Sequence, residues 1–400
     1  MIRFQASRVC FVLLILLALL LAVSAAGAEQ AVDVAQKCKL KATENFKTRK
    51  YVLTEDFQQR WESGRKGQLI VTLPEGSTSQ GVMVTQFLNP TPLDVIDSDG
   101  QVIGHGPGKY LIEWIPFDRE VGEFAIKPDQ TGQSLNISRL NVLTPGELPR
   151  WIQRWETLEG PAELMLISTH PDDDILWFGG ILPYYAGEVR RKVIVVYMTG
   201  ARKHVRNLEL LDALWSAGVT YYPDVGDFRD VGKHNIGSVY DYWGRDGAEK
   251  RIVEALRRYR PEVVITQDVN GEYGHKAHVV TVKAVTDIFD KGMAGDPAWY
   301  PESAVKYGLW MPKKLYLHLW KEGVIRFDWQ QPLSAFDGQT ALEVAKAAFK
   351  KHVSQQNGKY AVRDSGPYDC SLFGLYWSSV GPDEEHKDLF EHIPAESPAV

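Results

Sequence analysis

The chain has 400 residues, a formal net charge of −6, and acids and bases interspersed along its length. That balance leaves no basic stripe of the kind a phosphate backbone needs, so nucleic acid is not an expected partner. Three cysteines are too few for a disulfide scaffold or a thiolate zinc site, and the length suggests two domains rather than one small core.

At the N-terminus, Arg3 and Arg8 flank the start of an apolar run over residues 9–23, and Ala26-Gly27-Ala28 offers small residues for cleavage. The run is about 15 residues long, short of the roughly 20 that cross a bilayer, so residues 1–28 read as a secretory signal. The rest of the chain is then expected to be secreted or periplasmic, that is, extracytoplasmic, with a membrane attachment only if the segment stays uncleaved. Cys10 leaves with the signal, and Cys38 and Cys370 either bridge the chain ends or stand as free thiols.

Residues 29–65 are mixed and charged, and no element is assigned there. From about residue 66 to 142, short runs alternate apolar and polar side chains between turn residues, the pattern of antiparallel strands. Ser98-Asp99-Gly100 reads as a hairpin turn. Residues 29–150 are therefore expected to form a β-rich accessory domain resembling a sandwich.

After Thr144-Pro145-Gly146 the texture changes, and residues 151–400 read as a second domain. Residues 163–168, 193–198 and 261–266 are apolar runs, as strands covered on both faces require. Residues 207–217, 249–258 and 278–289 carry apolar side chains at helical spacing, and a further helix is expected over 340–354 before an irregular tail. Strands alternating with helices predict an α/β fold with a Rossmann-like, doubly wound, mostly parallel sheet, whose ligands bind beyond the carboxyl ends of the strands.

Two motifs fall at that edge. His170-Pro171-Asp172-Asp173-Asp174 follows the first apolar strand. Three carboxylates beside an imidazole repel one another unless a cation compensates, although acids behind a proline also suit a helix start. Glu272-Tyr273-Gly274-His275-Lys276-Ala277-His278 follows the strand ending near Thr266, and its two histidines lie three apart, on one side of a helical turn. Together the motifs supply nitrogen and oxygen donors suited to a catalytic zinc with an open position. Arg206, Arg229 and Asp230 are read as surface ion pairs in preference to substrate contacts, and no Gly-x-Ser-x-Gly turn marks a serine hydrolase.

Over roughly residues 160–390 the chain resembles the PIG-L/LmbE family of zinc-dependent de-N-acetylases. The resemblance rests on His170 to Asp174, on His275 and His278, on Arg206-Asn207-Leu208-Glu209 leading to Gly218-Val219, and on His352-Val353-Ser354-Gln355 and Phe373-Gly374-Leu375-Tyr376. It implies His170, Asp173 and His278 as ligands of zinc or another divalent metal, Asp172 as the general base acting on metal-bound water, His275 facing the substrate carbonyl, and Tyr273 assisting. Two positions depart from the family pattern: Asp174 replaces a usual Glu, and Ala277 replaces an Asp that holds the first histidine, which leaves the charge and orientation of His275 open. The implied activity is removal of N-acetyl groups from an N-acetylhexosamine-containing glycan or glycoconjugate. The alternatives are a zinc amidase on a non-sugar N-acyl substrate and a secreted glycan-binding protein.

Overall fold

A computed structural model describes residues 29–129, 133–231, 235–356 and 358–394, so the signal reading of residues 1–28 lies outside the described residues. The chain divides into two compact units, one covering most of residues 29–152 and the other residues 153–400 together with the short segments 87–90 and 110–113.

The first unit holds two antiparallel sheets. One runs in the spatial order Lys39–Ala42, Leu69–Thr72, Glu123–Pro128, Leu93–Ile96 and Val102–Gly106; the other runs Trp61–Glu62, Asn136–Leu143, Ser79–Gln86 and Ile112–Val121. Alternation along each strand sends one face inward, and Val71, Leu93 and Phe124 of the first sheet share a core with Val84, Ile115 and Val142 of the second. The expected hairpin joins Leu93–Ile96 to Val102–Gly106, where Gly100 takes the left-handed φ of 77° that the turn requires. Residues 29–65, unassigned from sequence, contribute the strands Lys39–Ala42 and Trp61–Glu62.

The second unit is built on a seven-stranded sheet in the order Asp224–Phe228, Val193–Thr199, Leu164–Ser168, Val263–Thr266, Lys314–His318, Leu372–Ser378, Val324–Arg326. The first five are parallel, and Leu372–Ser378 pairs antiparallel with both of its neighbours. Every residue of Leu164–Ser168, Val193–Thr199 and Val263–Thr266 is buried, which explains why these strands read as continuous apolar runs. The helices His204–Ser216, Gly247–Tyr259 and Lys276–Lys291 follow successive parallel strands, and Ile252, Leu256, Val280 and Ile288 pack into the core they share with the sheet.

Two sequence expectations need correction. The helix begun at Thr340 covers only Ala341–Phe349 and gives way to a short 3-10 turn, Val353–Gln355. The tail is not irregular throughout, since Leu372–Ser378 is a strand of the main sheet; its Gly374 interrupts the apolar run. Cys38 and Cys370 are both free thiols, which settles the open disulfide question in favour of unpaired cysteines.

The direction of strand succession reverses between Leu164–Ser168 and Val263–Thr266: from the former the chain moves outward through Val193–Thr199, and from the latter outward through Lys314–His318. Such a switch point opens a crevice at the carboxyl ends of the two strands. His170 leaves one of those ends, and the loop carrying Glu272 to His278 leaves the other.

Candidate metal centre

His170 is fixed by the residues just before it. The Thr169 backbone N–H donates to Gln267 Oε1 at 3.0 Å and its hydroxyl to Thr281 Oγ1 at 2.8 Å, tying the first loop to the strand end and helix of the second motif. Across the crevice, Gly271 has a φ of 70°, and a Cβ there would stand 2.6 Å from the His275 carbonyl oxygen, so the loop turns only with glycine at that position. The helix Lys276–Lys291 then begins after His275 and carries His278, fully buried, toward His170.

Three donor atoms converge. His170 Nδ1 lies 3.0 Å from Asp173 Oδ2 and 3.0 Å from His278 Nε2, and His278 Nε2 lies 3.1 Å from Asp173 Oδ2. A tetrahedral zinc with ligands at ~2.0–2.2 Å separates neighbouring donors by roughly 3.3–3.5 Å, so this triangle fits such an ion after a slight expansion. The donors suit it chemically too, two imidazole nitrogens and one carboxylate oxygen.

Each donor is oriented from behind. His278 Nδ1 lies 2.7 Å from Glu272 Oε2, and His170 Nε2 lies 3.1 Å from Asp230 Oδ1. With the far ring nitrogen of each histidine donating to a carboxylate, the near nitrogen keeps its lone pair for a cation. The free oxygen of Asp173 accepts from the Trp177 indole at 2.8 Å, and Glu272 is steadied by the Asp268 backbone N–H at 2.9 Å and by His318 Nδ1 at 3.4 Å.

The electrostatics of the cluster call for positive charge. Burial disfavours a charged His278, yet Asp173 and Glu272 outweigh it and push the ring's pKa up to about 10. Against the same burial penalty, Asp173 and Asp230 raise His170, and His278 and His170 hold Asp173 well below the usual carboxylate range. Two imidazoles facing each other at 3.0 Å need either a proton or a metal ion between them, and the carboxylates around them favour both.

Asp172 is not part of the triangle. Its φ of 116° is strained for a residue with a side chain, a cost of order 1–3 kcal/mol of the kind that clusters at functional sites. Arg206 Nη2 donates to its Oδ1 at 2.9 Å and to the Pro171 carbonyl, while burial and the Asp173 charge push its carboxyl up to about 7. Asp174 is buried behind it and accepts the Asp172 backbone N–H at 3.1 Å.

His275 brings its ring to 4.7 Å from those of both His170 and His278, and Tyr273 lies 5.7 Å from His275. Nδ1 of His275 has no hydrogen-bond partner among the described residues. Burial and the two neighbouring imidazoles lower its pKa to about 3, so the charge of His275, left open by the sequence, is that of a neutral ring. His170, Asp172, Asp173, Tyr273 and His275 line one cleft of about 160 Å³, and His278 lies behind them at the triangle.

Sequence reasoning placed Arg206 and Asp230 on the surface in ordinary ion pairs. Both instead line this cleft, one gripping Asp172 and the other His170. Glu272 and Trp177 were missed as orienting groups. Glu272 sits inside the quoted motif, but only the closed loop shows that it reaches His278.

A crevice at a switch point, with histidine and aspartate donors contributed from both of its sides, defines a Rossmann-like α/β protein whose site is able to hold a metal ion. The family model described as PIG-L: GlcNAc-PI de-N-acetylase matches residues 165–289, the stretch that carries both motifs, so this part of the chain is similar to that family. A 1D-myo-inositol 2-acetamido-2-deoxy-alpha-D-glucopyranoside deacetylase 1 from Catenulispora acidiphila is 27% identical over 189 residues, covering 40% of this chain and 57% of that protein. The deacetylase of the same substrate name from Acidothermus cellulolyticus is 30% identical over 177 residues, covering 36% of this chain and 61% of that protein. The chain thus spans about three-fifths of the length of these curated relatives. Among solved structures, N,N'-diacetylchitobiose deacetylase from Pyrococcus horikoshii aligns with a TM-score of 0.37 at 18% identity, covering 48% of this chain and 70% of that one.

Proposed function

We propose that this protein is a zinc-dependent hydrolase that removes the N-acetyl group from an N-acetylhexosamine-containing glycan or glycoconjugate. The observation that carries the proposal is the triangle of His170 Nδ1, Asp173 Oδ2 and His278 Nε2, with the strained, unligated Asp172 in the same cleft. The names of the curated relatives, deacetylases of an acetamido sugar, support the substrate class.

His170, Asp173 and His278 would hold a divalent ion, which would supply Lewis acidity to the acetyl oxygen and lower the pKa of water. Asp172 does the proton work: its carboxylate takes a proton from the attacking water and returns it to the departing nitrogen, so that acetate and a free amine leave. Arg206 keeps that carboxylate in place through the bond to Oδ1. Neutral His275 offers a ring N–H to the oxyanion that develops as water adds, a donor often worth ~2.7–4 kcal/mol to the transition state.

Acetate release from N-acetylhexosamines and from N-acetylated amino acids, with and without a chelator, tests this reading. Chelator-sensitive release from the sugars is expected, whereas release only from the amino acids would replace the sugar amidase with one acting on a non-sugar N-acyl substrate. Asp172→Asn is expected to keep a full complement of metal and to lose ~10²–10⁴-fold in turnover, and an active, metal-loaded variant would reject the base assignment. Export ahead of action is part of the proposal, and a mature N-terminus near residue 29, read by mass spectrometry of the secreted protein, checks it.

A further inference from the structure

The cleft over the three donors is lined in two unlike ways. Arg206, Asp230 and Gln355 give it charged and amide groups, whereas Tyr273 and Tyr360 give it aromatic surface. The two tyrosine rings stack on each other at 4.6 Å with 27° between their planes. Trp177 stands edge-on to Tyr360 at 5.4 Å, is 1% exposed, and is itself bonded to Asp173. The aromatic lining is thereby fixed to the metal triangle and not free to drift. Lys359 Nζ lies 5.6 Å from the Tyr273 ring and 4.9 Å from the Tyr360 ring, so what the pair offers the cleft is ring surface beside an ammonium.

A hexopyranose is amphipathic in the matching sense, with a face of C–H bonds and a rim of hydroxyls. The cleft, at about 160 Å³, lies below the ~300–1,000 Å³ typical of pockets for drug-sized ligands and has room for one such ring. We infer that Tyr360, backed by Tyr273, is a specificity-determining residue that stacks on the C–H face of a single pyranose while its acetamido group reaches the triangle. The aromatic surface then selects a sugar amide over an amide on a flexible chain, because only the rigid ring covers it. This inference rests on the hydrolase reading above.

The test uses the full chain loaded with zinc, as wild type, Tyr360→Ala and Tyr360→Phe, with N-acetylglucosamine and an N-acetylated amino acid as substrates and glucosamine as a ligand for calorimetry. Tyr360→Ala is expected to raise KM for the sugar about 3- to 10-fold, more than any change in kcat, and to lower the preference for sugar over amino acid by the same factor. Tyr360→Phe is expected to restore both values, because the ring and not its hydroxyl does the stacking. An unchanged sugar preference in Tyr360→Ala, or a Phe variant as impaired as the Ala variant, overturns the inference and leaves the hydrolase intact. A wild type that releases no acetate overturns the hydrolase instead. Calorimetry then decides the stacking alone: glucosamine affinity lost in the Ala variant and kept in the Phe variant supports it, and a wild type that does not bind glucosamine overturns it.

Discussion

Glu272 and Asp230 each hold the far nitrogen of a histidine whose near nitrogen faces the triangle, and a neutral amide in place of either carboxylate would still accept that hydrogen bond but would no longer favour positive charge. Glu272→Gln is therefore expected to weaken zinc binding by ~10–100-fold, measured by competition with a chelator of known affinity. Unchanged affinity would reduce Glu272 to a packing role. His352 raises a different question, because it is fully buried and neither ring nitrogen has a partner among the described residues. Burial and the nearby Arg206 lower its pKa to about 3 from an ordinary 6.5. As pH falls below 6.5 the unfolded chain takes up this proton and the folded chain refuses it, so stability is lost progressively between about pH 6.5 and pH 3. His352→Leu is expected to flatten the fall in stability over the upper part of that window by up to about 1.4 kcal/mol per pH unit, measured by denaturant unfolding. Parallel curves for the two proteins would contradict it. At this scale the sequence pointed to the residues that cluster in the cleft and concealed the groups that orient them. His170, Asp172, Asp173, His275 and His278 belong to short motifs, whereas Asp230, Arg206 and Trp177 find their targets only through the closed fold.

The helix His204–Ser216 links both sides of the cleft. Arg206 near its start holds Asp172, and one turn later Glu209 accepts from the Ser354 backbone N–H at 2.8 Å and its hydroxyl at 2.6 Å. The spacing of Arg206 and Glu209 places them on one helical face, so a single element fixes the base and the short turn carrying Gln355. Glu209→Ala removes both acceptor contacts and is expected to cost about 1–3 kcal/mol, seen as a lowered melting temperature. An unchanged melting temperature would show that the turn is held by other contacts. Among the elements, the parallel strands were legible because burial on both faces leaves an unbroken apolar run, and the helices because one face is wet. Leu372–Ser378 was not: it contains Gly374, whose added Cβ would stand 2.5 Å from the Trp320 carbonyl oxygen, and five of its seven residues are only partly buried. The stop of the helix Ala341–Phe349 was also hidden, since the residues after Phe349 continue a helical composition while the chain turns to dock Ser354 on Glu209.

Each of the two units has its own apolar core, one of sheet against sheet and one of helices against a mostly parallel sheet. The triangle draws all its donors from the second unit, so an ion held there would stabilise that unit by mass action. Calorimetry is expected to show two unfolding transitions, of which a chelator lowers one. A single transition shifted as a whole would mean that the units unfold together. At this scale the fold class was readable from the alternation of strand and helix, and the position of the site followed from the rule for open α/β sheets. The accessory sheets could be recognised as β-rich, but pairing between strands far apart in sequence, such as Leu93–Ile96 with Glu123–Pro128, has no local signal.

X-ray absorption on the chain loaded with one equivalent of zinc bears most directly on the metal centre, read alongside zinc titration of Asp173→Ala and His278→Ala. The expected shell holds two imidazole nitrogens and at least one carboxylate oxygen at ~2.0–2.2 Å, with affinity falling sharply in both variants. A shell without histidine, or zinc bound as tightly by the variants as by the wild type, would contradict the metal centre and the hydrolysis built on it.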